Sequence, residues 1–311
     1  MIKSLSPFFL LLLLAVSFSA CEDDDDPEPI TDDVPGNVTG LNYAEYRGQT
    51  FASVYSPLLE ALNANLNISV AAEIDHQANA AGIGTTIDPT TVVYFGNPQL
   101  GTPLMLANQR AGIDLPQKML VYQAEDDDII VAYNNTSYLA NRHGVGNVST
   151  LPMISTALTN FATTMGATTE TIAERSAVTV NEGLIELTSQ NTVAETVAKL
   201  KQVIDSNPNL SLITEVDHQQ NAAMFFMTLR PTYLVVFGNP NLGTPLIENE
   251  RTIGLDLPQK MLVFEEENGD VKVVYNDIDY LVARHGVTGV EEQVTMIRGA
   301  LANIAGMITQ P

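Results

Sequence analysis

The sequence predicts an α+β protein made of two repeats, each a β-α-β-β-β-β-α unit whose helices cover one face of an antiparallel sheet. Three observations carry this. Shifting the chain by 142 positions lays Glu73–Gly144 over Glu215–Gly286 without a gap, and 39 of the 72 pairs are identical. That period is a domain's length, far above the few tens of residues that stack into a solenoid. Within each copy, alternating and continuous apolar runs of strand length lie between two long segments of helical spacing, a pattern that closes into one sheet with helices on a single side.

In chain order, the first element is an address. Lys3 precedes the apolar run Phe8–Val16, which is too short for a bilayer that needs about 20 residues. Ser17-Phe18-Ser19-Ala20-Cys21 follows, and Cys21 is the only cysteine. The arrangement resembles a bacterial lipoprotein signal, with residues 1–20 removed and Cys21 lipidated as the membrane-anchored N-terminus. A lone cysteine leaves no intramolecular disulfide to form. Residues 21–40 read as a disordered tether, because the acids from Glu22 to Asp33 repel one another and keep the chain extended. Acidic runs directly behind a lipidated cysteine resemble export signals, so the outer membrane or cell surface is the expected location.

The net charge is −23, and setting aside Lys3 and the eight acids of the tether leaves −16 on the rest. Such a surface opposes nucleic-acid binding, which draws its affinity from Lys and Arg on phosphates, and opposes docking on anionic lipid. The remaining partners are the membrane through the lipid, a small ligand, or another envelope protein.

The first repeat spans residues 41–166, a linker 167–182 and the second repeat 183–311, whose elements read more clearly. Leu184–Ser189 is a strand. Thr192 caps a helix running to about Asp205, with Val193, Val197, Leu200, Val203 and Ile204 on one face. Leu212, Thr214, Val216 and His218 alternate along a second strand. Thr232–Phe237 is a continuous apolar run, as in a strand buried on both faces. Lys260–Glu265 and Val271–Asn276 form a hairpin around Asn268-Gly269. A closing helix spans Val290–Ile308. The copies are expected to pack as a pseudo-dimer about an approximate two-fold axis, and the second, from about Val180, to fold alone if its core is its own.

Four motifs recur in order in both copies: D-H-Q-x-N-A-A, F-G-N-P-x-L-G-T-P-L, D-L-P-Q-K and Y-L-x-x-R-H-G. Together they resemble the family known as domain of unknown function 302, present as a tandem pair over nearly all of the chain beyond the tether. The resemblance implies a fold similar to the TATA-box-binding-protein-like α+β arrangement. It implies no catalytic residue, and likeness of fold does not carry DNA binding with it.

The four histidines, His76, His143, His218 and His285, fall two per copy at matched positions. His76 ends a strand, where Asp75 can cap the following turn. His143 and Arg142 precede Gly144 at a helix C-terminus, whose dipole they complement. Either structural roles or a shared ligand site suits this pattern. Two histidines and no cysteine per copy are too few ligands for a zinc centre, and no H-E-x-x-H is present. The F-G-N-P-x-L-G-T-P-L stretch lacks the G-K-[ST] ending of a phosphate loop. Conformation accounts for it: a turn at Gly96-Asn97-Pro98, then Thr102 capping a helix with Pro103 at its first position. Nucleophilic catalysis finds no G-x-S-x-G elbow. Asp75 and Asp114 are the available paired carboxylates, and Lys118 and Lys260 begin strands from which they are expected to snorkel outward.

The reading is a lipid-anchored, non-catalytic binding or interaction module. Its candidate ligand residues are His76, Asn97, Lys118, Arg142 and His143, recurring as His218, Asn239, Lys260, Arg284 and His285. The alternative is a metal- or small-molecule-dependent enzyme, which requires the paired histidines of each repeat to converge in one cleft. Because Gly82–Asp88 is small and polar where the second copy has Met224-Phe225-Phe226-Met227, the two sites are expected to differ, the second preferring an apolar ligand.

Overall fold

A computed structural model describes residues 38–171 and 178–311. Cys21, the signal sequence and all but the end of the tether lie outside the described residues.

The first repeat runs β1 (Leu41–Tyr46), α1 (Phe51–Ala64), β2 (Ser69–Asp75), α2 (His76–Gly82), β3 (Thr90–Gly96) and α3 (Pro98–Ala107). A 3₁₀ turn at Gln109–Asp114 leads to β4 (Gln117–Gln123), β5 (Ile129–Asn134), α4 (Thr136–His143), α5 (Leu151–Thr163) and β6 (Thr169–Thr171). The second repeat runs β7 (Leu184–Ser189), α6 (Val193–Ser206), β8 (Ser211–Asp217), α7 (His218–Ala223), β9 (Thr232–Gly238) and α8 (Pro240–Asn249). After a 3₁₀ turn at Arg251–Leu255 it closes with β10 (Gln259–Glu265), β11 (Val271–Asn276), α9 (Ile278–His285) and α10 (Glu291–Thr309). All strand pairs are antiparallel, in the orders β2-β3-β4-β5-β1-β6 and β7-β11-β10-β9-β8. The short β6 lies in the span read as linker, where it extends the first sheet by one edge strand beside β1.

Each sheet has two apolar faces with different partners. Val93, Phe95, Met119, Val121 and Val131 pack under α1 and α5 of their own repeat, as Val235, Phe237, Met261, Val263 and Val273 do under α6 and α10. The alternate residues Val92, Tyr94, Leu120 and Tyr122 meet Leu234, Val236, Leu262 and Phe264 in one core between the sheets. The molecule is therefore four layers, helix, sheet, sheet, helix. Strands buried on both faces explain why the central runs are continuously apolar instead of alternating.

The repeats also exchange their short helices. Ala80 and Ile87, at and beyond α2, belong to the core of the second repeat, and Ala222 and Leu229 to that of the first. Asp75 and Asp217 cap these helices by accepting from the backbone N–H of Ala78 and Gln220. One local expectation is corrected. Helix α3 starts a turn earlier than Thr102, because the Asn97 side chain accepts from Gln99 N–H and Pro98 occupies the first helical position. Pro103 then lies inside the helix, and α8 repeats the arrangement with Asn239, Pro240 and Pro245.

Candidate functional site

The matched polar residues divide between two places: a charged network at the centre of the molecule, and two cavities related by the repeat.

At the centre, α4 and α9 end in αL glycines, Gly144 and Gly286, which turn Arg142, His143, Arg284 and His285 inward. Arg142 Nη1 donates to Asp114 Oδ2 at 2.9 Å and His143 Nε2 to the same oxygen at 2.8 Å. Arg284 Nη1 and His285 Nε2 donate to Asp256 Oδ2 at 2.6 and 3.1 Å. Each arginine then crosses to the other repeat, Arg142 to Asn276 Oδ1 at 2.8 Å and Arg284 to Asn134 Oδ1 at 2.6 Å. The guanidinium of Arg284 stacks over Tyr138 at 4.1 Å, and the Tyr138 and Tyr280 hydroxyls meet at 3.2 Å. Lys118 completes the exchange by donating to Asp256 Oδ1 at 2.8 Å.

The symmetry fails at the lysines, and also at the histidines, where His285 Nδ1 meets Thr252 Oγ1 and His143 Nδ1 has no partner. Lys260 Nζ is 3.9 Å from Asp256 Oδ1 and makes no hydrogen bond, while Asp114 Oδ1 is also without a partner. Two carboxylates thus face two guanidiniums and two lysines. Burial opposes ionisation throughout, but Lys118 and Arg284 hold Asp256 well below the usual carboxylate range. Burial, reinforced by the neighbouring Lys118 ammonium, pushes Lys260 well below the usual lysine range, so of these four basic groups it sheds its proton most readily. The charged side chains here are at most 2% exposed. The expected snorkelling of Lys118 and Lys260 is corrected: each faces the inter-sheet layer, where no rim lies within reach.

The cavities are lined by matching segments of the two repeats. The larger, about 320 Å³, opens between α5, the β3–α3 corner and the loop before β4, and is closed by α7 from the second repeat. The smaller, about 120 Å³, is its counterpart along α10, closed by α2 from the first. His218 lines the first and His76 the second, so each histidine serves the opposite repeat's cavity; Asn97 and Asn239 stand beside them at the α3 and α8 caps. His76 Nε2 donates to Gly254 O at 3.1 Å. His218 interacts with the backbone of Gly112 and Leu115, Gly112 being the repeat counterpart of Gly254. Burial pushes both imidazoles down to about 4, so they are neutral at physiological pH.

The ten residues singled out from the sequence are therefore not brought into one cleft per copy. Lys118, Arg142, His143, Lys260, Arg284 and His285 form the enclosed network, whereas His76, Asn97, His218 and Asn239 line the cavities. Asp75 caps α2 and does not pair with Asp114, which is held by Arg142 and His143. Among the described residues no group of three or more His, Cys, Asp or Glu side chains could hold a metal ion. Sequence reasoning missed the anchoring roles of Asp114 and Asp256, of Asn134 and Asn276, and of the tyrosine pair. Identity between the copies at all three pairs was the available signal. Thr102, read above as a helix cap, and Gln117 line the larger cavity and are likewise identical between the copies.

Two curated relatives match along 108 residues at 38% identity: fluoride-specific ion channel FluC 1 of Brucella suis biovar 1 (strain 1330) and fluoride-specific ion channel FluC 1 of Brucella abortus biovar 1 (strain 9-941). The match takes in 35% of this chain and 42% and 40% of theirs, so the chain spans about two fifths of those relatives. No described helix here is long and apolar enough to cross a membrane. A solved structure, that of an uncharacterized conserved protein DUF302 from Bacillus stearothermophilus, covers 41% of this chain and 98% of that one, at 16% identity and a TM-score of 0.38. The family described as "Domain of unknown function DUF302" matches residues 44–173 and again 185–304, which is most of the sequence, and the chain belongs to that family as a tandem pair.

Proposed function

We propose that this protein is a non-catalytic binding module, held at the outer membrane or cell surface by a lipid on Cys21, and that it takes a small molecule into the larger cavity. The observation that carries the reading is the division just described. Asp114, Asp256, Lys118, Lys260, His143 and His285 are shut in the central network, while the larger of the two repeat-related cavities is lined by apolar groups and a few neutral polar ones, His218 among them. Its volume falls within the few hundred Å³ typical of small-ligand sites. Acidic surface charge suits a soluble body kept off an anionic membrane by its tether.

Two measurements test this. Cys21→Ser should move the protein from the membrane fraction to the soluble or unprocessed one, since acyl chains supply the anchoring; unchanged fractionation sinks the anchor. Native mass spectrometry of the purified chain should find a small-molecule adduct lost in Ala157→Phe, which fills the cavity. Turnover of any adduct would favour the enzyme reading instead.

A second reading rests on Lys260. An enclosed amine without a hydrogen bond in a cation-rich cluster would gain from a small anion, and the relatives matched along 108 residues are named for fluoride. Sodium fluoride should then raise the melting temperature where sodium chloride does not, and Lys260→Met should remove the difference.

A further inference from the structure

The larger cavity carries more information than its volume. Among the described residues, no Asp, Glu, Lys or Arg lines it, in a chain with 37 acids and 14 bases. A charged ligand would lose its hydration there with no countercharge to replace it. The wall nonetheless holds two enclosed polar atoms without a partner, Thr102 Oγ1 and Gln117 Nε2. Native proteins seldom leave such groups orphaned, so each points to a partner supplied from outside the chain.

These two groups lie on neighbouring segments. Gly96 packs on Pro116 and Gly101 on Leu115, which brings the start of α3 against the loop carrying Gln117, and His218 lies by the Gly112 and Leu115 backbone. Ile154 and Leu158 of α5 supply an apolar wall. At the mouth, Leu66 is 98% exposed and Met224 61%. The counterpart cavity is less than half as large, and its one unpartnered atom is Gln259 Nε2.

We infer that the larger cavity takes an uncharged amphiphile, an apolar chain lying along α5 with a single neutral hydrogen-bonding head, such as an alcohol or amide, at Gln117 and Thr102, and that the smaller cavity is not a second site. This rests on the binding-module reading above. It adds the ligand's class and the stoichiometry.

The test uses the full mature chain and N-phenyl-1-naphthylamine, an uncharged fluorescent probe. One probe per chain should bind, and at pH 7.5 1-decanol should displace it at a concentration at least tenfold below that of decanoate or decylammonium. Ala157→Phe should abolish probe binding, and Ala300→Phe in the smaller cavity should leave it unchanged. Gln117→Leu should weaken 1-decanol severalfold while sparing the probe, a split that a merely structural role would not produce. Free 1-decanol and 1-decanoylglycerol in phosphatidylcholine vesicles separate a soluble source from a membrane one, and displacement from either supports the class. Decanoate or decylammonium matching decanol would overturn the uncharged class and leave the binding module standing. Two probes per chain, or binding that survives Ala157→Phe, would overturn the assignment to this cavity. No binding of the probe and no thermal shift with decanol would overturn both.

Discussion

The two lysines of the D-L-P-Q-K motif occupy equivalent positions and are not equivalent in energy. Lys118 offsets the Asp256 carboxylate, and its loss leaves a buried charge short of a partner. Lys260 has no hydrogen bond to lose. Replacing a buried partner commonly costs about 3 kcal/mol, whereas replacing a surplus buried cation with an apolar side chain of its size is neutral or stabilising. Lys118→Met should therefore lower the urea midpoint by the equivalent of roughly 3 kcal/mol, and Lys260→Met should leave it unchanged or raise it. Equal losses would mean that the network is symmetric in solution. The histidines set a pH window at the same scale. Burial holds His76, His218 and His285 down to about 4 in the folded chain, against about 6.5 when unfolded. Between those values the unfolded chain binds protons that the folded one refuses, so their stabilisation is complete above about 6.5 and lost as pH falls toward 4. Asp114 and Asp256 are buried too, but their cationic neighbours keep them low, so their stabilisation persists to more acid pH. Urea midpoints should fall steadily from pH 7 to 5, by up to roughly 3 kcal/mol per histidine over the full window. A flat profile would exclude neutral buried imidazoles.

Element boundaries were legible wherever the chain states them locally. The Thr192 cap with Glu195, the Asn268-Gly269 turn and the apolar stripe of α10 each depend on residues a few positions apart, and each element forms where its pattern places it. The corner after β3 was misread because it offers two polar-then-proline pairs, Asn97-Pro98 and Thr102-Pro103, and a single sequence does not say which one caps. The difference is testable. Asn97→Ala removes the side chain that accepts from Gln99 N–H and should cost about 1 kcal/mol. Thr102→Val would cost as much if Thr102 were the cap. Because its hydroxyl is instead enclosed and unpartnered inside α3, the substitution should be neutral or slightly stabilising in chemical denaturation. The exchanged helices α2 and α7 were not legible at all, since Ala80 and Ala222 read as buried residues without saying in whose core.

The same ambiguity decides how the whole molecule holds together. Period and composition distinguish buried from exposed, but Leu234, Val236, Leu262 and Phe264 would give an identical pattern beneath a helix or against another sheet. They face the first repeat, and so do Arg284 through Asn134 and Asp256 through Lys118. A chain of residues 178–311 alone would expose that apolar face and strand its buried charges, so independent folding as a monomer is not the expected outcome. Key residues lost are matched by the same residue type on the second repeat itself: Asn276 matches Asn134, Lys260 matches Lys118, and Leu262 matches Leu120. Two copies of the isolated repeat can therefore rebuild the missing half through an isologous two-fold interface, each Lys260 reaching the partner's Asp256 as Lys118 does here. Light scattering should give twice the chain mass with a single cooperative, concentration-dependent unfolding transition. Asp256→Asn should weaken the dimer by leaving two arginines and two lysines without a carboxylate. A stable, cooperatively folded monomer would overturn the shared core and make the inter-sheet layer a contact between finished domains.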